Sequence, residues 1–230
     1  MTFGIKKFAA SAVVALAAGG AHAAMQTLDG VGFDITYDDA ALGLFGSPSL
    51  IDNSLFFAPS GSPGFSAQTA SGFAFTNSTF AFQISADPGY VLTAFTLVEE
   101  GDYFYFGEGS GVDVGGQLRV KPLVPLAESM TSAIEADTGI MNTTLSIATH
   151  NWSSMSVVET AGIEKANVSI ENLLAAYSYT TSGPSYAFIE KKGVELAVGV
   201  AAVPEPESYA LMLAGIGMIG MAARRRMNRM

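Results

Sequence analysis

GFAFTNSTFAFQI, residues 72–84, alternates with a period of two: Phe73 and Phe75 stand against Gly72, Ala74 and Thr76, and Phe80, Phe82 and Ile84 against Ala81 and Gln83. Within each half the apolar residues recur every second position, a spacing that an extended chain sets on one face and a helix scatters around its axis. The stretch reads as a strand. Outward from it, Val31, Phe33, Ile35 and Tyr37 repeat the pattern, and Val91 to Val98 is nearly all apolar, as suits a strand covered on both faces. Val112 with Val114, Leu118 with Val120, Leu145 with Ile147, Val168 with Ile170, and Val194, Leu196, Val198 and Val200 continue the series. Turn signals separate them at Gly61-Ser62-Pro63-Gly64, Asp87-Pro88-Gly89, Gly107 to Gly111, Gly115-Gly116 and Thr181 to Pro184. About ten short strands at irregular spacing predict an all-β fold, a single antiparallel β-sandwich or jelly-roll-like domain over 24–202. Pro125 to Asp137 alone looks helical, with Leu126, Met130 and Ile134 at i, i+4 and i+8.

Composition narrows the classes. Apolar residues make up 49% of the 230 and charged ones 14%, which argues for a packed core and against disorder. There is no cysteine, so disulfides, thiolate metal sites and a cysteine nucleophile are excluded. Between residues 24 and 202 stand 19 Asp and Glu against five basic residues, Arg119, Lys121, Lys165, Lys191 and Lys192. Such an acidic domain repels phosphate backbones, and nucleic acid is not an expected partner.

The two ends differ from the middle. Lys6 and Lys7 precede the uncharged run Phe8 to Gly20, and Ala21-His22-Ala23 follows with small residues at the two positions a signal peptidase accepts. Residues 1–23 therefore read as a signal peptide cleaved before Ala24. At the other end, Val203-Pro204-Glu205-Pro206 is stiff and extended, since each proline fixes its own φ and turns its predecessor away from helix. Tyr209 to Ala223 carries no charge, and Arg224, Arg225, Arg226 and Arg229 close the chain. As a helix the apolar run rises only about 22 Å, short for a durable anchor. An ordinary tail anchor after a proline-rich linker is the alternative.

In this order of parts, residues 203–230 closely resemble the PEP-CTERM sorting signal of exported proteins from Gram-negative bacteria that make exopolysaccharide. The match runs through Val203, Pro204, Glu205 and Pro206, four intervening residues, the apolar helix from Leu211 onward, and Arg224, Arg225 and Arg226. The resemblance implies recognition and cleavage near the motif by a membrane enzyme, the exosortase. It implies transient residence in the inner membrane through the C-terminal helix, then release or attachment at the cell surface or in the extracellular matrix.

The middle offers little chemistry. His150 is the only histidine after the leader, and no Gly-x-Ser-x-Gly surrounds any serine. Asp38-Asp39 and Glu99-Glu100 with Asp102 are the densest acids. They read as solvated loop acids, with paired-carboxylate glycoside hydrolysis and calcium binding as rivals. In Tyr103-Phe104-Tyr105-Phe106, placing the phenylalanines inward sets Tyr103 and Tyr105 side by side on the outside, where they can stack on sugar rings. Trp152 reads as core. No catalytic, cofactor or metal site emerges. The expectation is a non-enzymatic surface or matrix protein that contacts exopolysaccharide, with a secreted polysaccharide hydrolase and a permanently anchored envelope protein as alternatives.

Overall fold

The computed structural model describes residues 24–59, 64–136, 146–179, 183–203 and 206–227. The described residues form twelve strands: β1 (Met25–Asp29), β2 (Phe33–Asp38), β3 (Ser49–Ile51), β4 (Ser54–Phe57), β5 (Ser66–Thr69), β6 (Gly72–Ala86), β7 (Tyr90–Phe106), β8 (Ser110–Val124), β9 (Met130–Ala133), β10 (Ser146–Ile163), β11 (Lys165–Ser178) and β12 (Tyr186–Ala202). One helix, α1 (Pro206–Met227), follows. Six of the strands are 14 to 18 residues long, longer than turn spacing alone suggested.

Every pairing is antiparallel, in two sheets. One runs β1-β2-β6-β11-β8-β9; the other runs β10-β7-β12-β4-β3, with β5 also on β12. From β6 to β8 and from β10 to β12 the chain changes sheet at each step, so neighbouring strands in sequence face one another across the core. The inward sides of β2, β6, β8 and β11 supply Phe33, Ile35, Phe80, Ile84, Leu118 and Ile170, all fully buried. Leu55, Leu92, Phe95, Leu97 and Leu196 meet them from the other sheet. Edge-to-face contacts fill one end: Phe57 lies 5.0 Å from Phe80, and Phe45 lies 5.6 Å from Phe57 and 5.7 Å from Phe65. This is the antiparallel sandwich that the alternating pattern predicts.

Of the helix expected at 125–137, Asp137 lies outside the described residues, and Met130–Ala133 form β9, which pairs with β8 from Gln117 to Val120. An i, i+4, i+8 spacing is also a multiple of two, so it fits one face of a strand equally well. Ile134 is fully buried and Met130 packs against the core, while Leu126 is exposed.

A register shift in β12 matters for the site. Lys191 pairs with Gly101 and Gly193 with Glu100, leaving Lys192 as an extra residue. Before the bulge, Ala187, Ile189 and Lys191 point inward; after it, Val194, Leu196 and Val198 do.

Candidate functional site

The outer aromatic surface is not the expected one. Tyr103 and Tyr105 share the inward parity of Phe95, Leu97 and Gly101 along β7, and each is 6% exposed. The two rings stack at 6.3 Å, and Tyr103 stacks on His150 at 5.3 Å. Phe104 and Phe106 take the half-exposed outer positions, against Tyr186 at 5.4 and 6.2 Å. A four-residue aromatic run carries no internal sign of which alternate pair faces in; the opposing sheet decides it.

The most exposed rings lie on the other sheet. Phe73 and Phe75 of β6 stand 56% and 60% exposed with centroids 5.9 Å apart. On β11, Tyr177 pairs with Phe73 and stacks on the exposed Tyr179 at 6.0 Å. Gly111, opposite Tyr177 on β8, leaves room for it: a Cβ there would lie 2.4 Å from the phenol oxygen. Asp113, next outward on β8, and partial burial push the Tyr177 phenol up from its usual range, burial being the larger cause. The result is a ledge of four rings on the sheet's outer face.

The expected acid clusters disperse. Asp38 caps a short 3-10 turn through Ala40 N–H at 2.9 Å, and Asp39 accepts from Ala24 N–H at 3.0 Å. Glu100 and Asp102 line an outer cavity of about 360 Å³ with Asn151, Ser153 and Lys192. Both acids come from one strand, so they form the same wall and do not face each other across a bond. Asp102 is also paired with Lys192. Among the described residues no group of three or more His, Asp or Glu is placed to hold a metal ion.

Glu99 is fully buried, contrary to its reading as a solvated acid. It continues the inward parity of Phe95 and Leu97, a signal present in the sequence had the strand been carried past Val98. From β7 its carboxylate accepts from Lys191 Nζ of β12 and, at 2.9 Å, from Asn172 Nδ2 of β11 in the opposite sheet. Lys191 Nζ also donates to Asn172 Oδ1. The amine lies 5.3 Å from the Trp152 ring and 5.5 Å from that of Phe65. Trp152, core as expected, donates its indole N–H to Glu190 O at 3.0 Å. Burial holds the Lys191 amine below its usual range, against the opposing pull of Glu99. Three polar side chains thus close on one another inside an apolar shell.

The signal-peptidase positions Ala21 and Ala23, and Pro204 and Glu205 of the tail, lie outside the described residues. Val203 N–H donates to Gly89 O at 2.8 Å, which ends the sandwich. Beyond it α1 carries Leu211, Leu213, Ile216 and Ile219 at 59–74% exposure, with exposed Arg224 and Arg225 after them. Among the described residues no helix is long and apolar enough to cross a membrane.

Comparison with known proteins bears on the tail alone. No curated protein matches the chain. Structures of the Gt and Gx strains of infectious bursal disease virus are 10% and 12% identical and cover 76% and 83% of this chain, with TM-scores of 0.16 and 0.15, too low to carry any argument. The chain spans 53% and 59% of their length. Residues 202–226 match the family model described as the PEP-CTERM protein-sorting motif. The chain carries a PEP-CTERM sorting motif at its C-terminus, after an antiparallel β-sandwich.

Proposed function

We propose that this is an exported protein processed by an exosortase, and that its sandwich binds and does not turn over a substrate. The match of residues 202–226 to the sorting motif carries the reading. The exposed apolar side of α1 supports it, since such a helix needs a lipid or protein cover before it is removed. Ala24 supports removal of the leader: cleavage before it would turn the backbone N–H held by Asp39 into an ammonium paired with that carboxylate. The destination is the cell surface or the extracellular matrix, and the ligand is exopolysaccharide. The ring ledge of Phe73, Phe75, Tyr177 and Tyr179 offers flat apolar faces with polar tips, which suit the alternating faces and hydroxyls of a sugar chain.

Mass spectrometry of the mature protein from its native host tests the processing. Loss of residues 1–23 and of the arginine-bearing terminus is expected. Glu205→Ala, or deletion of Arg224, Arg225 and Arg226, is expected to leave the terminus attached in the membrane fraction. A native terminus found intact, or processing indifferent to both changes, overturns the reading. Phe75→Ala with Tyr179→Ala is expected to lower retention on the host's exopolysaccharide without changing the melting temperature.

A further inference from the structure

The geometry assigns Lys191 and Asn172 as partners in an intramolecular amide that the folded domain forms by itself, with Glu99 carrying the protons. The inference stands apart from the sorting motif and the ring ledge, and neither is needed for it.

Each of the three groups has a distinct place in the chemistry. A lysine amine is a nucleophile only when unprotonated, and an apolar pocket favours that form. Lys191 sits in such a pocket, 2% exposed, between the rings of Trp152 and Phe65. A carboxamide is a poor acceptor in water, but Asn172 is held against the amine in the fold, its Oδ1 accepting from Nζ. Proximity of this kind turns a slow bimolecular step into an intramolecular one. Glu99 touches both nitrogens that must exchange protons: Oε2 accepts from Lys191 Nζ and Oε1 from Asn172 Nδ2.

The step balances without any added reagent. Glu99 takes a proton from the Lys191 ammonium, and the freed Nζ attacks Cγ of Asn172. A C–N bond forms and the carbonyl electrons move onto Oδ1. Glu99 passes a proton to Nδ2, the carbonyl reforms, and the Cγ–Nδ2 bond breaks with release of ammonia. The ammonia carries away the proton surplus as ammonium and Glu99 returns to its carboxylate. No atom is oxidised or reduced.

The surroundings suit the reaction. Gly101, opposite Lys191 on β7, permits the cover of the amine, because a Cβ there would lie 2.7 Å from Trp152 Nε1 and 1.9 Å from Glu190 O. Asn172 comes from one sheet and Lys191 from the other, so the bond staples the sandwich through its core. In a chain with no cysteine, it gives a covalent tie that needs no oxidising partner.

Intact mass of the purified full chain, measured denatured, tests it, together with peptide mapping after proteolysis. The wild type is expected to be one ammonia lighter than its sequence. It should also yield a branched species joining the peptides that hold Asn172 and Lys191. Full sequence mass with only linear peptides overturns the proposal and leaves a buried ion pair. Glu99→Gln keeps the shape and removes the proton carrier; a folded, unlinked chain is expected, and linkage as complete and as fast as in wild type overturns the role of Glu99. Asn172→Asp is expected to lose water in place of ammonia and to reach the same branched product. Lys191→Arg that still loses one ammonia places the loss elsewhere and sinks the assignment.

Discussion

At the scale of single residues, the molecule depends on a polar group in an unusual place. A buried charge left without its partner costs far more than the pair is worth, because desolvation is no longer offset. Lys191→Met leaves the buried Glu99 carboxylate without its nitrogen partner and removes the Lys191–Asn172 tie, and is expected to lower stability by at least about 3–5 kcal/mol, read from denaturant unfolding. Adding Glu99→Leu is expected to recover part of that loss, since it removes the stranded carboxylate. Tyrosines give a second test. Burial first, then a neighbouring Asp39, Tyr105 or Asp113, raises the phenols of Tyr37, Tyr103 and Tyr177 above the ordinary value of 10.0. A raised folded pKa means the unfolded chain loses its proton first. The stabilising difference is whole below pH 10.0 and is lost as pH climbs through the folded values. A melting temperature that falls above that pH, in step with phenolate absorbance, is expected. The sequence read Trp152 as core, and that ring is buried. It misread Tyr103 and Tyr105, because parity within one strand leaves open which side meets the other sheet.

At the scale of elements, β12 shows how one residue governs two faces. With Lys192 removed, Lys191 would still oppose Gly101 and Gly193 would still oppose Glu100, so the inward set is kept. Deletion of Lys192 is expected to fold, with loss of its pairs to Asp102 and Glu190. Those pairs lie at the surface, where solvent screens them and little stability is lost with them. Deletion of Leu196 instead turns Val198 outward and drives the rest of the strand to the wrong face. It is expected to unfold the domain, and circular dichroism on heating separates the two outcomes. The same arithmetic explains β9. Its spacing of four suited a helix in the sequence, and pairing with β8 chose the strand.

At the scale of the whole molecule, sandwich and tail are separate devices. No described side chain of α1 joins the core, and Val203 closes the last strand through Gly89. A chain ending at Val203 is expected to melt at the temperature of the full protein; a drop of several degrees would show that the helix supports the fold. The sequence alone determined the strand class, the acidic and cysteine-free character, and the sorting motif. Each of these is local, set by neighbours a few positions apart. Only the tertiary structure decided which tyrosines are exposed and that Glu99 meets Lys191 and Asn172. Those facts depend on strands from two sheets coming face to face, and residues 73 and 92 positions apart meet only when the chain has crossed the core.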